Sequence, residues 1–183
     1  MFKKILIVFL CLLQASIFSE LKADPVRQQI NLNRDWHFTL GDPAGAQQPS
    51  FSDQTWEQVN LPHSFSLPYF MWKSVYNGYG WYRRTIEMPE EWKGKQVAIE
   101  FEGVFIQSEV YLNGKRVGEH TGGYTGFCYD LTPFLKPGKN ILAVRVNNLW
   151  KPDVAPRAGD HQFSGGIYRD VYLHVTDPLH VSW

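Results

Sequence analysis

Short runs that alternate apolar and polar residues, cut by turn signals, constrain this chain more than any other feature. Val97, Ile99 and Phe101 alternate with Ala98 and Glu100, the period-two pattern of a strand with one buried face. Val110 and Leu112 alternate with Tyr111 and run into Asn113-Gly114, a hairpin signal because both residues tolerate positive φ. Arg116 to His120 is the expected returning strand. Leu142, Val144 and Val146 alternate with Ala143, Arg145 and Asn147. Ile167, Val171, Leu173 and Val175 fall on one face, and Tyr168, Asp170, Tyr172 and His174 on the other. Gly41-Asp42-Pro43, Pro89, Pro133, Pro137-Gly138 and Asp177-Pro178 punctuate these runs. No segment longer than about two turns has a helical period, and Pro133 to Pro137 is expected to hold one short helical turn. The pattern predicts an all-β sandwich or jelly roll.

The first residues read as an export signal. Lys3 and Lys4 precede the apolar run Ile5 to Leu13. Cleavage is expected after Ala23, with Ser19 the competing site. The apolar run is short for a bilayer span, and Leu10 before Cys11 argues against lipidation. The expected product is periplasmic or extracellular, with no membrane anchor. About 160 residues then remain, the size of one domain. We place that domain at 24–177, with 178–183 leading onward. Cys128 is then the one remaining cysteine, so no internal disulfide is expected. It is read as a buried small apolar residue rather than a nucleophile.

Eighteen basic and eighteen acidic side chains balance, which argues against nucleic acid or an anionic membrane surface as partner. Seven Trp, nine Tyr and twelve Phe would suit stacking on sugar C–H faces, and equally the core of a β-sandwich. There is no phosphate loop, no paired CxxC or histidine cluster with metal spacing, and no Gly-x-Ser-x-Gly elbow. Two long irregular stretches stand out. Phe65 to Gly80 carries Pro68, Tyr69, Phe70, Trp72, Tyr76 and Asn77, and Asn147 to Gly165 carries Trp150, Pro152, Pro156 and Asp160. Loops this long on a compact domain are usually functional or disordered, and aromatic content disfavours disorder.

Four segments, in order along the chain, then carry a resemblance. They are Arg34-Asp35-Trp36-His37-Phe38; Phe51-Ser52-Asp53 through Trp56 to Leu61-Pro62-His63; Gly80-Trp81-Tyr82-Arg83-Arg84 with Val110 to Gly114 and His120 to Tyr124; and Gly165-Gly166-Ile167-Tyr168-Arg169-Asp170. Together they resemble the N-terminal sugar-binding domain of family 2 glycoside hydrolases, the β-galactosidase and β-glucuronidase group. Several of these residues also have a structural reading. Trp36, Trp56 and Trp81 are expected as core anchors, the Gly122-Gly123 and Gly165-Gly166 pairs as backbone turns, and His63 as an interior hydrogen-bonding residue. Arg169 and Asp170 are expected on opposite faces of a strand.

The resemblance implies a galactose-binding-domain-like jelly roll whose ligand is a β-linked galactoside or related glycan. It implies that Asp160, five residues before Gly165, reaches the sugar hydroxyls, and that in some members the equivalent carboxylate holds a monovalent cation. A carboxylate suits that task because it accepts two strong hydrogen bonds. Asn77, Asn147, Asn148 and Trp150 are weaker candidates for the same rim. No cofactor is expected on this chain, although the full enzyme could hold Na⁺ or Mg²⁺. A retaining glycosidase needs two carboxylates about 5 Å apart, and the family places both on a later (β/α)₈ barrel. No residue here is therefore assigned a catalytic role. Glu100 and Glu102 share one strand face with Cα atoms roughly 6.6 Å apart, but on the solvent side, where charge is ordinary. Two other readings stay open: a free-standing carbohydrate-binding module, and a structural domain that docks on a barrel partner.

Overall fold

A computed structural model of the chain describes residues 27–66, 76–155 and 165–181. The strands are β1 (Arg27–Asn31), β2 (Trp36–Leu40), β3 (Glu57–Val59), β4 (Tyr79–Met88), β5 (Gln96–Phe101), β6 (Val104–Phe105), β7 (Gln107–Leu112), β8 (Lys115–Thr121), β9 (Phe127–Asp130), β10 (Gly138–Asn147), β11 (Gly166–Ile167) and β12 (Val171–Thr176). They form a four-stranded sheet, β1-β12-β5-β9, and a six-stranded sheet, β3-β2-β4-β10-β7-β8, with β6 and β11 paired separately. All pairs are antiparallel. This is the expected jelly-roll sandwich.

The two inner faces meet in one core, where Trp36, Tyr82, Ile99, Phe101, Leu112 and Leu142 are fully buried. Each large apolar side chain so buried contributes about 1.5–3 kcal/mol against exposure. The Asn113-Gly114 turn joins β7 to β8 with both residues at positive φ, 53° and 81°. The β7–β8 register slips between Val110 and Tyr111, a bulge that places an extra residue, Val117, in β8. The helical turn expected near Pro133 is a 3₁₀ turn at Thr132–Phe134.

Three expectations need correction. The strand read from Ile167 to Val175 is two strands, broken at 168–170, where Arg169 and Asp170 lie outside any ladder. Asn33 Nδ2 donates to Asp170 Oδ1 (2.9 Å), Tyr172 Oη donates to its Oδ2 (2.8 Å), and Val171 N–H donates to Asn33 Oδ1 (3.0 Å). Side-chain bonds of this kind replace the ladder locally. Cys128 is exposed on β9 instead of buried. Partial burial of its sulfur and the Glu100 carboxylate push the thiol pKa up, so nothing activates it as a nucleophile. Ala143, placed by alternation on the polar face of β10, is fully buried.

Ala143 is buried because the β2–β3 connection covers part of the outer face of the six-stranded sheet. Ala46 packs with Trp81 and Ala143, and Phe51, Trp56 and Tyr111 close around them. Trp36 and Trp81 are thus core anchors, and Trp56 is half-buried. Arg83, at 2% exposure, pins this cover. Its Nε donates to Asp53 Oδ2 (2.9 Å), one terminal nitrogen to the carbonyls of Ala46 and Gln48 (the latter 3.1 Å), and the other to the Phe51 carbonyl (3.2 Å). The guanidinium also lies 5.6 Å from the Phe51 ring centroid. A buried guanidinium is tolerated only when it is paired and hydrogen-bonded in this way. Arg83→Ala would leave three carbonyls without their donor and Asp53 with only His37, 3.4 Å away. We expect it to lower the free energy of urea unfolding by about 3 kcal/mol. A loss under about 1 kcal/mol, the range of a surface ion pair, would refute the pinning role.

Candidate functional site

β10 ends where β4 begins, with Asn147 opposite Tyr79. The connections before β4 and after β10 therefore leave the same end of the six-stranded sheet. β11 lies there too. It pairs with β6, while Phe65 N–H donates to the Gly165 carbonyl (3.0 Å) and His63 N–H to the Ile167 carbonyl (2.8 Å). Residues 63–65 thus run beside residues 165–167.

Asn148 continues the inward series Leu142, Val144 and Val146 one step past β10, and it is buried. Its Oδ1 accepts from Gly78 N–H (2.8 Å), and its Nδ2 donates to the Tyr76 carbonyl (2.8 Å) and to Ser66 Oγ (3.4 Å). Ser66 Oγ, also buried, accepts from Gly165 N–H (2.9 Å). One carboxamide and one hydroxyl hold together Ser66, Tyr76 and Gly165. These residues border residues 67–75 and 156–164.

His63 and Gly166 lock the neighbouring strand. His63 Nδ1 is hydrogen-bonded to Tyr82 Oη at 2.8 Å, the partner that sequence could not supply. Burial lowers the His63 pKa, against the opposing charge of Glu57, and burial raises that of the Tyr82 hydroxyl. The pair is therefore neutral in the folded protein near pH 7. Gly166 sits at φ +123°, and a Cβ there would lie 2.6 Å from the His63 carbonyl and 2.7 Å from Tyr82 Oη.

The structure brings four of the five proposed site residues to this end. Asn77 is exposed beside Gly78, Asn147 is half-buried and Trp150 is 66% exposed. Asn147 Nδ2 donates to Gln107 Oε1 (3.3 Å), and its Oδ1 accepts from Leu149 N–H (3.2 Å). The carboxamide of Asn148 is instead engaged by the backbone around it. Asp160, and with it the suggested cation, lies outside the described residues. Among the described residues no group of three or more His, Cys, Asp and Glu could hold a metal ion. Sequence reasoning missed Ser66, and it named Tyr76 as a loop aromatic and not for its carbonyl, since neither a loop serine nor a backbone acceptor carries a spacing signal.

Residues 39–178 match the model of the glycosyl hydrolases family 2 sugar binding domain. The chain is 40% identical over 167 residues to a β-galactosidase of Bacteroides ovatus, covering 85% of this chain and 19% of that protein. It is 37% identical over 178 residues to a β-glucuronidase of Bacteroides fragilis, covering 96% and 24%. Its fold superposes on the solved Bacteroides uniformis β-glucuronidase 2, covalently bound to cyclophellitol-6-carboxylate aziridine. The TM-score is 0.79 and the identity 41%, over 82% of this chain and 18% of that one. A calcium-binding mutant of the same enzyme superposes equally well, with a TM-score of 0.78. The chain belongs to family 2 of the glycosyl hydrolases, in the part that forms the family's sugar-binding domain. It spans about a fifth of the length of the relatives it matches.

Two outcomes test this geometry. Gly166→Ala is expected to cost more than about 2 kcal/mol, because both the φ and the space forbid a Cβ; a loss within about 0.5 kcal/mol would overturn the close approach. The His63 pKa is lowered from its ordinary 6.5, so its contribution to stability is present above that value and lost as pH falls through the lowered one. Burial lowers His120 in the same direction. Urea midpoints between pH 7 and 5 should fall in the native chain. His63→Gln should flatten the slope beyond what His120→Gln does, and equal slopes in all three would remove His63 from the account.

Proposed function

We propose that this domain shapes the non-reducing-end subsite of an exported, retaining glycosidase of the β-galactosidase type, hydrolysing O-glycosyl bonds. Its two catalytic glutamates would lie on a (β/α)₈ barrel outside this sequence. Residues 1–23 would be removed on export to the periplasm or beyond, residues 24–177 would form the domain, and residues 178–183 would lead toward the Ig-like and barrel regions. The ligand would be a β-linked galactoside or a related glycan such as a glucuronide, since relatives named for both activities match this chain.

The observation that carries this reading is the joint anchorage of Ser66, Tyr76 and Gly165 around Asn148. It brings the flanks of 67–75 and 156–164 to one end of the sandwich, where Asn77, Asn147 and Trp150 also lie. Asp160, in the second of these segments, would accept hydrogen bonds from two sugar hydroxyls and in the full enzyme could help hold Na⁺ or Mg²⁺. Asn148 would act by holding the segments in place. A self-contained pair at Glu100 and Glu102 is disfavoured, because Glu100 Oε2 is engaged with His174 Nε2 at 2.6 Å. The exposure of Trp150 supports a second reading, a carbohydrate-binding module that acts without catalysis.

The test compares the whole protein with its Asp160→Ala variant on nitrophenyl β-galactoside and β-glucuronide. Losing a charge-assisted hydrogen bond should lower kcat/KM by about 10- to 150-fold, from about 1.5–3 kcal/mol. The 183-residue chain alone should turn over neither substrate. Turnover by the chain alone, or an unchanged Asp160→Ala enzyme, would overturn the proposal.

A further inference from the structure

The cover pinned by Arg83 shields part of the outer face of the six-stranded sheet. Around Asn147, Gln107 and Thr121, at the ends of β10, β7 and β8, that face is polar and partly exposed. Gln107, Glu109, Glu119, Thr121, Arg145 and Asn147 line a shallow depression there of about 50 Å³, deep enough to seat hydroxyl groups of a ligand that lies across it. It begins at Asn147, the end of the sandwich where Trp150 stands, and runs back along the sheet.

Alternation places these side chains side by side. Gln107 and Glu109 are two apart on β7, facing Asn147 and Arg145 on β10 and Thr121 and Glu119 on β8. At one end the groups are neutral and loosely joined. Gln107 Nε2 donates to Thr121 Oγ1 at 3.1 Å, and Asn147 Nδ2 to Gln107 Oε1 at 3.3 Å. Such long, partly exposed bonds are readily exchanged for bonds to another hydroxyl. The other end is rigid. Arg145 donates to both Asp42 oxygens and to Glu109 Oε1 (2.9 Å), and lies 4.1 Å from the centroid of the Tyr79 ring. Tyr111 Oη donates to the other Glu109 oxygen. Burial alone would raise the Glu109 pKa, but the bonds from Tyr111 and Arg145 outweigh it and keep the carboxylate ionised.

The charge balance selects the ligand. Arg145 is shared between two carboxylates, and Glu119 pairs with Arg116. These groups sum to one excess negative charge, and the cation lining the depression is already engaged. An anionic sugar would meet repulsion with no unengaged cation to offset its desolvation. A neutral sugar would meet amide and hydroxyl partners matched to its hydroxyls.

We propose that this depression is a second sugar site, which takes an uncharged, hydroxyl-rich residue of a glycan through Gln107, Thr121, Asn147 and Glu109. It shares Asn147 with the loop-end site but does not require Asp160. The test is an NMR amide titration of the full chain with galactotriose, with a galacturonic acid trimer of the same length as the charged probe. Galactotriose should give saturable shifts at Gln107, Glu109, Thr121 and Asn147, with a dissociation constant on the order of 1 mM. Gln107→Ala and the conservative Thr121→Val should each weaken binding about 3- to 10-fold, the loss of one or two neutral hydrogen bonds. Asp160→Ala should leave these shifts unchanged. The uronate trimer should bind more weakly, and the gap should narrow with added salt. Shifts confined to residues near Asn77 and Trp150 and abolished by Asp160→Ala would leave the loop-end site standing and overturn this one. So would binding indifferent to both Gln107→Ala and Thr121→Val, or a preference for the uronate.

Discussion

A primary amide shut away from water must find partners, or its burial costs about 1–3 kcal/mol. In this domain that requirement falls on Asn140 and on Asn148, and the candidate site depends on how Asn148 meets it. The partners come from three distant points of the chain: Ser66, the 76–78 corner, and through Ser66 also Gly165. None of the three has a ladder partner at those atoms, so the amide supplies what secondary structure does not. Two connections of very different sequence position thereby leave the sandwich from one place. The His63–Tyr82 bond and the bare backbone of Gly166 work beside it, pressing residues 63–65 and 165–167 together against Tyr82 of β4.

Much of the fold was legible in the sequence because strand parity is a local signal. Val97-Ile99-Phe101, Leu142-Val144-Val146 and the Asn113-Gly114 turn each declare themselves within a few residues. Two of the misreadings share one physical cause, a partner far away in sequence. Arg83 gives no local sign of burial in the sequence, yet Asp53 and three carbonyls from residues 46–51 close over it. Ala143 follows the same logic under the same cover. The break at 168–170 depends on Asn33, more than a hundred residues upstream. Cys128 was misplaced because its burial was read from residue type, whereas Phe127 and Tyr129 on either side of it take the inward face of β9.

The candidate site was legible to a different degree. Parity shows that position 148 faces inward, but it does not say that a polar side chain there must gather loop ends. Asn77, Asn147 and Trp150 came from the length and aromatic content of two connections, and the fold does bring them to one end. Asp160 rests on motif spacing alone. The polar part of the outer sheet face gave no signal, since Gln107, Glu109 and Asn147 alternate as any exposed strand positions would. Only the sheet order sets them in a row.

The bulge in β8 has a further consequence, for how copies of this domain meet each other. A sandwich leaves strand edges whose unpaired amides and carbonyls can template another chain. Among the described residues, the edges of the two larger sheets are β3 and β9, three and four residues long, β1 with five, and β8 with seven. The longest is therefore the one best suited to recruit a neighbour. It is also the one thrown out of regular register at Val117 and studded with Lys115, Arg116 and Glu119. A twisted, charged edge is a poor template for strand addition, so the domain carries its own protection against edge-to-edge aggregation where it is most needed.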